Sequence, residues 1–227
     1  MKALILAIVA VFTALCSLNS SPDLKAEFER KGDISGYAET VTFGELPDFY
    51  ADDNGDFTVL QFTDTHFTTM TSLSDLFLLE KMKAQTEKYS PDLVVMTGDM
   101  IDDGNEGKFN KAYVLRTVAE AFEEMEQYWA YVPGNNDGVN YGTSEDVVAY
   151  LSQYEHCLVA DEKDISGGCQ YSLDIYDENE LTHSMLFIDT MAYDNDDPDH
   201  IYGYVLPDQV AWCEDEINSK KAENDDV

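Results

Sequence analysis

Three short apolar runs, FTVLQFT (57–63), LVVMT (93–97) and WAYVP (129–133), are separated by segments of helical periodicity, and this alternation restricts the chain to few folds. A β-α-β-α-β order predicts parallel strands, because a helix-length crossover returns the chain to the same end of the sheet. In an open α/β sheet the loops after parallel strands leave along one edge, where ligands bind. Each run is followed at once by a polar motif: Asp64-Thr65-His66, Gly98-Asp99 and Gly134-Asn135-Asn136-Asp137. Asp64, His66, Asp99 and Asn135 are therefore expected to converge, far apart as they are in the chain.

Two carboxylates, an imidazole and an amide oxygen form a mostly hard O/N set, suited to Mn, Fe, Zn or Mg and poor for Cu(I) or an iron–sulfur cluster. Each motif alone also has an ordinary explanation. An Asp after a strand often caps the next helix, and Gly-Asp is a common turn pair. Three motifs in order at successive strand ends favour a metal site.

The pattern D-x-H (Asp64-Thr65-His66), then G-D-x-x-D (Gly98 to Asp102), then G-N-x-[DE] (Gly134 to Asp137) resembles the calcineurin-like metallophosphoesterases, which include purple acid phosphatases and many phosphodiesterases. The likeness runs from about residue 57 to 217. The stretches 91–102, 168–175, 186–194 and 202–217 are similar to a secreted or phosphate-regulated subgroup related to a yeast dosage-dependent cell-cycle regulator.

The resemblance implies an α/β (α+β) fold, a four-layer α/β/β/α sandwich with two sheets between helices. It implies two divalent or trivalent metal ions, Mn, Fe or Zn. Asp64 and His66 would hold one ion, Asp99 would bridge both, and Asn135 would hold the second. Asn136 and Asp137 are the candidate catalytic residues. The expected substrate is a phosphate mono- or diester, of small-molecule, lipid or nucleotide type.

Two departures from that pattern matter. The family usually has His where Asn136 stands, and an amide is no general acid. The family also completes its site with a later His and a terminal G-H-x-H, which the sequence up to Val227 does not contain. We therefore expect a domain incomplete at its C-terminus, with three ligands for one ion and two for the other. A non-catalytic relic or binding module is the alternative function. A plain acidic domain whose Asp and His are turn residues is the weaker one.

Composition narrows the partners. A net charge of −33 with only two arginines, Arg30 and Arg116, argues against a nucleic-acid surface, since phosphate contacts need clustered Lys and Arg. An anionic surface also repels a phosphate ester, so bound cations would have to reverse the sign at the site. The acidity itself fits a solvated surface adapted to high salt. Neither Asp52-Asp53-Asn54-Asp56 nor Asp194 to Asp199 has EF-hand spacing.

Lys2, the apolar run Ala3 to Ala14 and Ala14-Leu15-Cys16 read as a signal peptide over 1–16, hence a secreted or periplasmic protein. The run is short for a stable membrane span, and a membrane anchor is the minority alternative. Residues 17–50 form a polar lead-in, and 51–227 one domain. Cys157 and Cys169 are candidates to pair across a short loop, leaving Cys213 free.

Further elements are expected from pattern: an edge strand near Glu39 to Phe43 and a hairpin-type turn at Asn54-Gly55. Helices are expected at about 74–88, 108–128 and 144–154, the last opened by a Thr143-x-x-Asp146 capping box. A hairpin of 170–176 and 183–191 should be joined by 177–180, with His183 an ordinary edge residue. A helix should follow, with Pro207, Val210, Cys213 and Ile217 on one apolar face.

Overall fold

The computed structural model describes residues 34–102, 111–138, 142–162, 164–192 and 202–224. The proposed signal peptide, the start of the second helix and the Asp194 to Asp199 cluster fall outside them. The element order is β1 (Phe49–Tyr50), β2 (Val59–Phe62), α1 (Leu73–Tyr89), β3 (Leu93–Thr97), α2 (Lys111–Glu124), β4 (Trp129–Val132), α3 (Ser144–Leu151), β5 (Cys157–Leu158), β6 (Gln170–Asp177), β7 (Glu180–Ile188) and α4 (Pro207–Glu223).

The strands form two sheets. One has the order β2-β3-β4-β5, and all its pairings are parallel, with Phe62 opposite Met96 and Thr97 opposite Val132. The first four residues of β3 are buried, as a central parallel strand covered on both faces requires. The other sheet has the order β1-β6-β7, in which β1 runs parallel to β6 and β6 antiparallel to β7.

A single cluster of buried side chains joins the sheets, with Val94, Trp129 and Tyr131 from one and Tyr171, Leu173 and Phe187 from the other. Tyr171 and Phe187, cross-strand partners, stack at 4.6 Å. The Tyr171 hydroxyl donates to Tyr131 O at 2.8 Å and accepts from Tyr131 N at 3.1 Å. Past the last β4–β5 pair, it thus satisfies the buried Tyr131 backbone, whose O also accepts from the Cys169 thiol at 3.4 Å.

Helices cover the outer faces, which gives the α/β/β/α layering. Helix α1 buries Leu79 and Met82 and half-buries Leu76, and α2 buries Leu115, Val118 and Phe122. Helix α2 stops at Glu124, four residues before the expected end, because Glu126 turns into left-handed backbone (φ 52°) to bring the chain into β4. The Thr143–Asp146 capping box forms at α3, which ends at Leu151.

Three other expectations on local structure need correction. Residues 37–40 form a 3-10 helix rather than an edge strand, and Ala38 N donates to Asp146 Oδ1 at 3.0 Å. Asn54-Gly55 is a turn, but it joins strands of different sheets and makes no hairpin. The β6–β7 turn is shorter than expected, with Glu178 and Asn179 alone between the strands.

Helix α4 attaches through polar groups. Glu216 accepts from Ser172 at 2.9 Å, Lys220 pairs with Asp174, and Asn224 Nδ2 donates to Leu181 O at 2.7 Å, while Val210 and Ile217 face solvent. Among the described residues, Cys157, Cys169 and Cys213 are free thiols, so Cys157 and Cys169 do not form the pair that the sequence offered.

Candidate metal centre

The pairing of β2 with β3 continues into the loops beyond them. Asp64 N donates to Gly98 O at 3.1 Å, His66 N to Asp99 O at 2.9 Å and Phe67 N to Met100 O at 2.8 Å. Within this register Asp64, His66 and Asp99 all adopt left-handed backbone, with φ of 52°, 45° and 49°. That region costs a non-glycine residue roughly 1–2 kcal/mol. Strained residues of this kind persist where the surroundings over-determine them, and they cluster at functional sites.

The strained backbone gathers the three side chains. One ligand atom from each of Asp64, His66 and Asp99 lies within 4.8 Å of the others. His66 Nε2 is 3.7 Å from Asp99 Oδ2 and 3.9 Å from Asp64 Oδ1, too far for hydrogen bonds. Ligands held about 2.1 Å from one ion sit roughly 3–4.2 Å apart, so the two His66 distances and the donor set fit a divalent cation, and the wider 4.8 Å limit on the cluster leaves a small closure to be made on binding. The Asp64 side chain is 64% exposed, that of His66 43% and that of Asp99 14%, so the cluster opens to solvent on its Asp64 side.

Asp64, Asp99 and Asn135 line one cleft of about 450 Å³. Its far wall comes from the mixed sheet: Ile188 at the end of β7, Thr190, Met191 and Ala192 just after it, then Tyr202 and Gly203. Buried Asp189 fixes this wall, accepting from Gly168 N at 3.0 Å and Met191 N at 2.8 Å, and its burial raises its pKa. Buried Gln209 of α4 donates to Asp189 O at 2.6 Å. In the sequence the stretches 186–194 and 202–217 stood out only as a subgroup likeness, with no role assigned at the site. Elsewhere, His156 Nδ1 is 3.0 Å from Glu123 Oε2, and His183 is exposed on edge strand β7.

The two candidate catalytic residues lie otherwise than expected. Asn136 turns to Asp99: its backbone N donates to Asp99 Oδ1 at 2.9 Å and its Nδ2 to Asp99 Oδ2 at 2.7 Å. Asp137 is fully buried, and its oxygens accept from Ile101 N and Gly134 N, each at 2.9 Å. Burial pushes its carboxyl above the usual range. Closed off from the cleft, it is a positioning residue rather than one that meets substrate.

Lys111, 2% exposed, donates from Nζ to Asp137 O and pins the same turn from behind. It sits four, seven and eleven residues before Leu115, Val118 and Phe122, and a charge on that apolar stripe was the signal that sequence reading passed over. Burial lowers its pKa from 10.5 to about 8, against the pull of Asp137 and Asp146.

The folded state therefore binds fewer protons than the unfolded chain between those values, and stability should rise across that window. Below about pH 8 both states are protonated and the cost of burying the ammonium is fully present. Chemical denaturation should show the native protein gaining up to about 3 kcal/mol relative to Lys111→Met as pH rises from about 8 to 10.5. A difference independent of pH would mean that Lys111 is not desolvated.

Comparison with known proteins gives the same direction. The family model for calcineurin-like phosphoesterases matches residues 57–227. A Bacillus subtilis relative, the uncharacterized metallophosphoesterase YkuE, is 34% identical over 93 residues, 39% of this chain. The match spans 29% of that relative's length.

Proposed function

Because the chain belongs to the calcineurin-like phosphoesterase family, we propose that it is a metal-dependent hydrolase of phosphate esters. The convergence of Asp64, His66 and Asp99 at adjacent parallel strand ends carries this reading. Asp64 and His66 would hold one ion, Asp99 would serve that ion and a second, and Asn135 would add an uncharged ligand for the second. The ions are of Mn, Fe or Zn type. When bound, they supply Lewis acidity and positive charge at a phosphoryl oxygen. In a chain of net charge −33 that local positive charge is what admits an anionic substrate.

The substrate is a mono- or diester of small-molecule, lipid or nucleotide type, positioned between the Asp99–Asn135 edge and the wall of Met191 and Tyr202. The apolar run from Ala3 to Ala14 supports export as the setting. No helix among the described residues is long and apolar enough to cross a membrane.

Asn136 offers no acidic proton, and the amide hydrogen bond recorded for it goes to Asp99. Turnover should therefore depend steeply on the leaving group. With saturating Mn²⁺, activated aryl diesters should be cleaved about 10²- to 10⁴-fold faster than alkyl diesters, the range that positioned proton transfer contributes. Rates across a series of leaving groups of rising pKa test this. A shallow dependence would show that another group supplies the proton. Metal binding without turnover of any aryl ester would favour a binding module.

A further inference from the structure

We infer that Asn136 is a positioning residue whose side-chain amide and backbone N–H clamp the two oxygens of Asp99 and set the carboxylate toward His66 and Asp64. This rests on the metal-site reading above and adds to it a residue that touches neither ion nor substrate.

The two hydrogen bonds, 2.9 Å to Oδ1 and 2.7 Å to Oδ2, come from one residue and meet both oxygens, so they fix the plane of the carboxylate as well as its place. Charge-assisted bonds to a carboxylate are the stronger kind. Each carboxylate oxygen accepts in two lone-pair directions, so one direction per oxygen stays open to a cation.

The donor is itself held still. Asn136 sits in a turn tied by Asp137 to Gly134 N and Ile101 N, and by Lys111 to Asp137 O. Ile101 follows Asp99 by two residues, so the clamp and its target belong to one hydrogen-bonded unit. An amide also suits the task chemically: it donates without adding charge and does not titrate. An aspartate there would repel Asp99, and a leucine of similar size would leave Oδ2 without its donor. Residues that orient a metal ligand in this way typically carry 10- to 100-fold in metal affinity.

The test uses the full chain, Mn²⁺ calorimetry and the visible absorption of bound Co²⁺, which reports coordination rather than folding. Asn136→Leu should weaken Mn²⁺ binding about 10- to 100-fold and alter the Co²⁺ spectrum. Asn136→His should restore both, because its Nδ1–H lies one bond from Cγ, as the amide nitrogen does. Wild-type affinity in Asn136→Leu, or weaker binding with an unchanged Co²⁺ spectrum, would overturn the clamp. Asp99→Ala separates the two levels of inference. If it removes binding and Asn136→Leu does not, the clamp alone is wrong; if Asp99→Ala binds Mn²⁺ normally, the metal site is wrong and the clamp with it.

Discussion

Replacing Asp99 with alanine is expected to remove tight Mn²⁺ binding and, with it, phosphodiester turnover. Asp99 is the common element of everything gathered at the sheet edge: it faces His66 Nε2 at 3.7 Å, accepts both donors of Asn136, and shares the cleft with Asn135. Metal Lewis acidity contributes several kcal/mol to a transition state of this kind, which corresponds to a loss of about 10³-fold in rate. Calorimetry of the native chain should show a tighter and a weaker step, matching three ligands for one ion and two for the other. Asn135→Ala should lose the weaker step alone, and Asp99→Ala both. The surface variant Asp53→Ala supplies the control, since its carboxylate lies on an exposed turn. If Asp53→Ala and Asp99→Ala weaken binding alike, the signal comes from diffuse acidic charge and the centre does not exist.

Three strands of the parallel sheet were legible because each is an apolar run punctuated by a polar motif, whereas the two-residue β5 (Cys157–Leu158) is too short to give a signal. LVVMT can hardly be anything but a central strand, and the structure gives it the bounds that the residues suggest. Where partners lie far off in sequence, local pattern misled. Glu39 to Phe43 alternates as a strand does, but Gly36 (φ 79°) starts a tighter turn there and the segment rests against α3, with Tyr37 and Tyr150 in edge-to-face contact at 5.5 Å. Asn54-Gly55 does turn the chain, with Asp52 Oδ1 accepting from Asn54 N at 2.8 Å and Asp56 N at 2.9 Å. A turn signal fixes local geometry, however, and β1 found its neighbour at Ile175 and Tyr176, more than a hundred residues away. The face of Val210 and Ile217 misled for a similar reason: Gln209, Glu216 and Lys220 of α4 bind the mixed sheet by hydrogen bonds that hydrophobic periodicity does not register.

At the centre, the order of strands and motifs was enough to bring Asp64, His66, Asp99 and Asn135 to one sheet edge, because the loops after adjacent parallel strands leave on the same side. Direction was not legible. The motif places Asn136 and Asp137 beside the site, but nothing in four letters says that Asn136 turns back to Asp99 or that Asp137 is closed off under Ile101 N and Gly134 N. Only the stacking of the β3 and β4 loops decides that, and it depends on two glycines.

Those glycines support the second large expected effect. A Cβ on Gly134 would lie 2.3 Å from both Asp99 N and Asp99 Oδ1, and one on Gly98 would lie 2.6 Å from Gly134 Cα. Real side chains do not approach backbone so closely, so Gly134→Ala must push the Asp99 loop away from the turn that carries Asn135 and Asn136. Asp99 then leaves His66 and loses its Asn136 donors together. Mn²⁺ affinity should fall by at least about 10²-fold, more than the loss of one orienting partner alone. Folding stability should fall by roughly 1–3 kcal/mol through overpacking. Gly98→Ala meets backbone as closely and adds the cost of φ +88°, so it should unfold more readily still. The comparison that decides is Gly134→Ala against Gly44→Ala, which, like Gly134, has no left-handed φ but has open space around its Cβ. If both variants lose the same stability and neither loses Mn²⁺ affinity, the close approach of the two loops does not build the centre. If Gly134→Ala alone loses the metal, the contact between Gly134 and Asp99 is what brings the second half of the site to the first.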